Sequence, residues 1–551
     1  NPVTGVYDPA LLDRMPPGAP VHRAWTFELP HSLRDRIWKK AAGGWTIWSK
    51  ISVSHGVRIR TTNSPNGHRT SWYRGPTARP TSPAADRRAS AHSCTQYGPI
   101  WKQNFLNSTR QPSIPPNASP AAGVRGSGSG SGGPNPKVTL RLRRNTMSMR
   151  SKVAIVGVGR TPYSRQKPGE PLINVDQYIA WAADLALKQA GLTKNDFNYE
   201  GLGVAHAEVA HTVNWSAATA ENLGISPSVL LRADQGGASC SAMLIRAAGM
   251  IEAGICDRVL VVGADTPLNI PSAAPGLPLS PERTRGVYWD FQGPFGMMGA
   301  TAQFALVLKR YMHEHPGLTF EQLGKIAVST RYNAGFHPGA IYRKPFTLEE
   351  YLDSRMLSDP LRLLDCVPIV NGGLAYVVTS AKTARTLTDK PVYLRGFGEI
   401  SNHYPGSRAL PDVTETGFAV SAPKAMAMAG ISHGDVDLFQ PYDDYPFIAM
   451  MTLEDWGFCK KGHGGGFVAE RDLRFHGDFP MSVDGGQLSG GQPGGAIGGF
   501  MPLVESVTQL RHEAGERQVK NATVAAACGF GGIPYGRPGR SCISYILSTE
   551  P

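Results

Sequence analysis

Asp234-Gln-Gly-Gly-Ala-Ser-Cys-Ser-Ala-Met-Leu-Ile-Arg-Ala-Ala-Gly-Met-Ile-Glu-Ala-Gly-Ile-Cys-Asp-Arg-Val-Leu-Val-Val-Gly-Ala-Asp265 reads as a glycine turn, an apolar helix, a stop at Gly254 and a buried strand. From Ala242 to Ala253 only Arg246 and Glu252 are charged, so most of the helix circumference must be covered by protein. The Val-Leu-Val-Val run within Arg258–Gly263 suits a strand covered on both faces. A turn of small residues feeding a helix aims backbone N–H groups and a partial positive charge at whatever lies in front of it. That makes the turn a candidate site, although a core helix that begins on glycines would use the same residues.

Outward from this stretch the pattern alternates strands with helices. Val153–Val158 and Leu374–Thr379 read as strands, and Val175–Ala190, closed by Gly191, as an amphipathic helix. Phe304–His313 and Phe320–Tyr332 read as further helices, which together point to an α/β architecture. The chain also repeats itself. Ala-Gly-Leu-Thr-Lys-Asn-Asp-Phe-Asn-Tyr at 190–199 returns as Ala-Gly-Ile-Ser-His-Gly-Asp-Val-Asp-Leu at 429–438, each after an alanine-rich helix. The helix-then-strand unit of 246–265 has a counterpart at 503–528. Two copies of one unit imply an internal duplication, with halves expected at 152–395 and 396–551 and a site at the seam between them.

Charge separates the first segment from the rest. Residues 1–150 carry 22 Lys and Arg against 5 Asp and Glu, whereas 151–551 carry 34 against 38. The basic excess therefore belongs to the segment 1–146, which is rich in Arg, Ser and Pro and ends in Gly-Ser-Gly-Ser-Gly-Ser-Gly-Gly-Pro at 126–134. Such a composition predicts a low-complexity, disordered extension with little packed structure. With Met147 and Met149 just ahead of the first strand, it is expected to be sequence upstream of the true start; its acidic residues near the beginning argue against a transit peptide. No specific nucleic-acid partner is expected for the remainder, which lacks a basic balance. Seven cysteines, at 94, 240, 256, 366, 459, 528 and 542, form no Cys-x-x-Cys pair and suit reduced thiols in a cytoplasmic protein. No apolar run reaches the length of a membrane span. His206 and His211 lack a well-spaced carboxylate, so no metal site is expected.

Several motifs in one order carry a family likeness over about 152–548. Gly485-Gly486-x-x-Ser489-x-Gly491-x-Pro493-x-Gly495-Ala496-x-Gly498, following a duplicated α/β chain with a small-residue turn before a buried helix, resembles the thiolase superfamily. Leu-Glu-Asp-Trp-Gly-Phe-Cys-Lys-Lys-Gly-His-Gly-Gly-Gly-Phe-Val at 453–468, Gly-Gly-Gln-Leu-Ser at 485–489 and Gln-Leu-Arg-His-Glu-Ala-Gly-Glu-Arg-Gln-Val at 509–519 are similar to its lipid-transfer-protein branch, related to sterol carrier protein X thiolases and to acyl-CoA retro-aldolases. The resemblance implies a layered αβαβα fold, a homodimer, an acyl-CoA thioester as substrate and no metal or redox cofactor. It also implies C–C bond chemistry through a cysteine nucleophile, a base and oxyanion holes.

The family's catalytic positions map unevenly onto this chain. The nucleophile's place, 17 residues before the glycine that ends the buried helix, falls on Gly237 in Gly237-Ala238-Ser239-Cys240. Cys240 is the nucleophile only if the register slips; otherwise it is a small core residue. The family's Gly-His-Pro becomes Gly491-Gln492-Pro493, and glutamine can donate or accept a hydrogen bond but takes no proton at neutral pH. Cys528 lies two residues from the second family cysteine's place, as a displaced acid/base or a packed thiol. Tyr442 stands where the family places His or Asn, and in the steroid side-chain retro-aldolases a tyrosine there is thought to be catalytic. A buried tyrosine with a satisfied hydroxyl is the structural alternative. The likeness implies substrate contacts at Gly237, Ser239, Asp443, His463, Gly529 and Gly531, while Arg283, Arg285 and Lys344 are candidates for the CoA phosphates. The leading expectation is retro-aldol cleavage of a β-hydroxyacyl-CoA without a covalent acyl-cysteine. The rivals are an acyltransferase working through Cys240 and a non-catalytic acyl-CoA carrier or a scaffold for an OB-fold partner protein, as in related aldolase complexes.

Overall fold

The computed structural model describes residues 49–53, 56–60, 149–167, 169–205, 207, 214–269, 299–403, 412–532 and 539–551. The chain divides into Asn1–Lys137 and Val138–Pro551. In the first unit the described residues form a two-stranded antiparallel hairpin, Ser49–Val53 with Gly56–Arg60, where alternating Ile51, Val53, Val57 and Ile59 supply strand formers. The remainder of the expected low-complexity extension lies outside the described residues, as do His206, His211, Arg283 and Arg285.

The second unit begins with strand β1 (Val153–Arg160) and helix α1 (Val175–Ala190), followed by β2 (Gly201–Val204) and β3 (Val229–Leu231). Helix α2 (Ser239–Glu252) and strand β4 (Arg258–Asp265) realise the opening stretch. After α3 (Gly299–Glu314) and α4 (Phe320–Gly335) come β5 (Gly372–Ser380), β6 (Val392–Ile400) and α5 (Phe418–Ala429). The chain closes with β7 (Leu438–Gln440), α6 (Pro446–Trp456), α7 (Met501–Leu510), β8 (Val524–Gly531) and β9 (Ser541–Ser548).

Strand pairing exposes the duplication. One set runs β1-β5-β4-β2-β3, the other β6-β9-β8-β7. In each, the first two neighbours pair antiparallel and the next pair parallel: β1·β5, β5·β4 and β4·β2 match β6·β9, β9·β8 and β8·β7. The sets meet through only two residue pairs, Val392 with Ile155 and Tyr393 with Ala154. The second set thus opens at Val392, and the division expected at 395/396 falls inside β6.

The repeat extends to local chemistry. Gly191 and Gly430 close their helices at φ of 68° and 64°. Two residues on, the Thr193 hydroxyl donates to Asp196 at 2.8 Å and the Ser432 hydroxyl to Asp435 at 2.7 Å, each bracing a short 3-10 turn. Gly157 and Gly159 of β1 press on the Ala186 and Ala182 carbonyls of α1, as Gly396 and Gly398 of β6 press on Ala425 and Ser421 of α5; a Cβ at any of the four would overlap those oxygens.

Helix α1 contacts the first set and α5 the second, while α2 and α7 each contact strands of both. The order helix, sheet, helix pair, sheet, helix is the five-layered arrangement. Its central layer is apolar: Met243, Leu244 and Ala247 of α2 and Leu503 and Val507 of α7 are fully buried in one cluster with Val261, Tyr376 and Tyr545. No helix among the described residues is long and apolar enough to cross a membrane.

Leu503→Ala is expected to cost about 2–5 kcal/mol through the cavity it leaves in this layer. Leu306→Ala on α3, where the side chain is 51% exposed, is expected to stay within about 0.5 kcal/mol. Urea-unfolding midpoints check the contrast.

Candidate active site

The turn that enters α2 meets both β8 and the segment that follows β7. Ser239 shapes the entering turn: its hydroxyl accepts the Gln235 N–H at 3.0 Å and its own N–H donates to the Gly236 carbonyl at 2.9 Å. Ser239 is fully buried, so its polar atoms serve the turn. Gly529 and Gly531 of β8 lie against this turn, Gly529 facing Ala238 and the Ser241 hydroxyl and Gly531 facing the Gln235 carbonyl, each too closely for a side chain. The two halves therefore touch, backbone on backbone, beside Gly237.

Tyr442 completes the contact. Its N–H donates to the Cys528 Sγ at 3.3 Å, and its ring stacks on Phe530 with centroids 5.9 Å apart and planes at 23°. The ring lies on Gly237. A Cβ at 237 would overlap the Tyr442 ring carbons Cε2 and Cζ and lie 2.5 Å from the Phe530 carbonyl oxygen. The space that a side chain at 237 would need is filled by the phenol. The Tyr442 hydroxyl donates to the Gly495 carbonyl at 2.7 Å and accepts from the Gln492 Nε2 at 3.2 Å.

Gln492 is anchored by its backbone. Its N–H donates to the Pro368 carbonyl at 2.9 Å and its carbonyl accepts from Val370 at 3.2 Å. Its Nε2 also donates to the Gln487 Oε1 at 2.7 Å. Asp443 is buried, with one oxygen accepting the Gln487 N–H at 2.8 Å. Loss of water pushes its carboxyl up to about 8, the nearby Asp484 adding to the rise. Asp444, also buried, is raised well above the carboxylate range by the same loss of water and by Asp443.

Both candidate thiols are core residues. Cys240 is fully buried in the first turn of α2, where its carbonyl accepts the Tyr376 hydroxyl at 3.0 Å. Burial drives its thiol well above the usual value, so the thiolate that a nucleophile requires is disfavoured. Cys528 is likewise buried with a raised thiol, and it acts as the acceptor that seats the Tyr442 backbone. His463 is a correction of another kind. It is exposed and precedes Gly464, whose N–H donates to Glu454 at 2.7 Å, near the carboxyl end of α6. Tyr442 precedes the amino end of that helix, and 11 residues of helix put about 16 Å between the two ends. Lys344 is exposed and joins none of these contacts.

Behind the site lies a buried ionic cluster that the motifs did not reveal. Arg160, at the end of β1, donates to Asp484 at 2.8 Å and stands 3.3 Å from the His337 Nε2, and Arg517 pairs with Glu505. His337, Asp484 and Glu505 hold three ligand-type atoms within 4.8 Å of one another. Two guanidinium groups already occupy this donor set, so a cation would have to displace both. The cluster reads as a self-neutralised ion network. Gln487 and the Gly495 carbonyl are the other site groups that sequence reasoning missed; the glycines that flank them were a signal of close packing, without saying what packed there.

A thiolase C-terminal domain-like family matches residues 398–537. An acetyl-CoA acetyltransferase of Methanothermobacter thermautotrophicus is 30% identical over 387 residues, covering 69% of this chain and 96% of the relative. The chain belongs to the thiolase superfamily. A 17-hydroxy-3-oxo-4-pregnene-20-carboxyl-CoA lyase of Mycobacterium tuberculosis is also 30% identical, over 382 residues, covering 66% of this chain and 92% of the relative. Among solved structures, the Ltp2-ChsH2(DUF35) aldolase superposes with a TM-score of 0.62 at 27% identity, covering 73% of this chain and 98% of that one.

Within this thiolase-superfamily site, Gly237→Cys is expected to lower the thermal midpoint by several degrees, because the new side chain must displace the Tyr442 ring. It should yield no thiol that acetyl-CoA protects from iodoacetamide. Asp443→Asn tests the buried carboxyl. A carboxyl raised in the folded state stabilises fully below its unfolded value and loses that contribution as pH rises through about 8. The Asn variant should therefore gain on the wild type between about pH 5 and about pH 9, read as the difference in denaturation midpoints.

Proposed function

We propose that this protein cleaves the Cα–Cβ bond of a β-hydroxyacyl-CoA by a retro-aldol reaction in which Tyr442 handles the proton. The observation that carries the reading is the Tyr442 ring seated on Gly237, where a thiolase nucleophile would need a side chain. With that place filled and Cys240 in the core, a covalent acyl-enzyme has no thiol to form on.

The reaction needs less. A base takes the β-hydroxyl proton as the Cα–Cβ bond breaks, a carbonyl product leaves, and the electron pair passes to the thioester as an enolate. The same proton is then returned to Cα, giving the shortened acyl-CoA. No atom changes its redox partner, so no redox cofactor enters the balance. Tyr442 as phenolate would receive the proton, with the Gln492 Nε2–H supporting its negative charge. The lyase and aldolase named among the relatives support this assignment, and the aldolase's DUF35 component supports assembly with a DUF35 partner protein, the place expected for an OB-fold partner. The six described cysteines are unpaired, in keeping with a cytoplasmic enzyme, and a homodimer belongs to the same reading.

The test is turnover of a panel of β-hydroxyacyl-CoA thioesters, 3-hydroxy-3-phenylpropanoyl-CoA and a steroid side-chain thioester among them, with and without a DUF35 partner. Cleavage should release aldehyde or ketone and acyl-CoA in equal amounts, and Tyr442→Phe should lower kcat by about 10²–10⁴. A Tyr442→Phe variant that keeps the full rate would sink the assignment, and thioester binding with no cleavage of any member would favour the carrier.

A further inference from the structure

The hydrogen atoms around Tyr442 can be placed by elimination. The Gly495 carbonyl can only accept, so the single phenolic hydrogen of Tyr442 goes to it across 2.7 Å. The phenol oxygen must then accept from Gln492, which turns the amide nitrogen of that side chain toward it. That nitrogen also lies 2.7 Å from a side-chain atom of Gln487, and a donor there needs an acceptor, so the Gln487 oxygen faces it. The sense of the whole chain, from Gln487 through Gln492 and Tyr442 to Gly495, follows from one main-chain group.

We propose that Gln487 is a positioning residue for the reaction: its Oε1 fixes the Gln492 amide so that an N–H, and not a carbonyl, meets the Tyr442 oxygen. Three observations hold it in that duty. Its backbone N–H is tied to Asp443 at 2.8 Å, next in sequence to the phenol it serves. A Cβ at Gly498 would overlap the Gln487 Oε1 and lie 3.1 Å from the Gln492 Cγ, so the glycine keeps room for the two amides to meet. The Gln487 Nε2, buried, has no hydrogen-bond partner among the described residues, which leaves the oxygen as the working atom of the side chain.

Without this acceptor the Gln492 amide is free to turn its oxygen to the phenol. The hydroxyl would then donate to Gln492, and a phenolate would face a carbonyl instead of an N–H. Removing one preorganised donor from developing negative charge is a loss felt in the transition state more than in binding.

The inference rests on the retro-aldol reading, and Gln487→Met and Gln487→Glu test it. Methionine keeps the length and removes the acceptor; glutamate, held neutral by burial, keeps an acceptor oxygen. Gln487→Met should lower kcat about tenfold or more with KM within about twofold, and Gln487→Glu should recover most of the loss. A packing role predicts the reverse, with methionine near wild type and glutamate impaired. A second measurement is independent of turnover: ultraviolet titration of the Tyr442 phenol, each protein referenced to its Tyr442→Phe counterpart. Among the described residues, the titratable groups nearest this phenol are Cys528 on β8 and the neighbouring Asp443; every group around it is present in both members of each pair and cancels. Ionisation of Tyr442 should move to higher pH in Gln487→Met, because its phenolate has lost the aligned N–H. Unchanged titration, or a methionine variant as active as the wild type, overturns the role of Gln487. Absence of cleavage by the wild type, with the titration shift present, overturns the retro-aldol reading alone.

Discussion

Helix α2 has nowhere to put a polar face. Both strand sets must cover it, and with α7 it forms the apolar layer to which the rest of the unit is fitted. Once the helix lies between two sheets, its amino end is carried to the line where the halves meet. The entering turn of the first half is then forced against β8 and the 442 segment of the second. The approach is so close that Gly237, Gly529 and Gly531 have no room for side chains. The site is thus a by-product of burying a helix.

That geometry decides which chemistry is open. Thiolase-type catalysis asks for a reactive thiol at the tip of the buried helix, exposed enough to lose its proton. Here Gly237 leads into the helix, and Cys240 in its first turn is buried, where desolvation holds the thiol protonated. The phenol of Tyr442 takes the vacated space. A tyrosine brings an oxygen on a rigid ring, positioned by stacking on Phe530 and by its backbone bond to Cys528. The charged groups nearby are handled separately: Arg160, Asp484, His337, Glu505 and Arg517 neutralise one another behind the glycine-rich segment.

Much of this was legible from residues alone. The paired decapeptides at 190–199 and 429–438 announced the duplication because a helix stop and a braced 3-10 turn need particular residues at fixed offsets. The burial of α2 followed from its lack of charge. Counting along that helix placed glycine at the expected nucleophile, and the reason for the glycine appeared only with the ring lying on it. Other features depend on long-range contacts that leave no local trace. Cys528 serves Tyr442 across 86 residues of chain, and Gln492 meets it across 50. His463 drew notice for its glycine-rich loop, yet that loop packs at the far end of α6 because Glu454 holds it there. The start of the second repeat at Val392 was equally hidden, since β6 runs unbroken through the expected boundary: Gly396 there packs on the Ala425 carbonyl of α5 and does not end the strand.

The carbonyl of Gly495 gives the arrangement a kind of permanence that side chains lack. Any residue at that position would present the same main-chain oxygen, and no substitution can turn an acceptor into a donor. Substitution can exchange the amides for other groups or remove the phenol altogether, but whatever hydroxyl lies over that oxygen points its hydrogen the same way. The backbone therefore sets an arrow for proton movement, and mutation is left to choose only what travels along it.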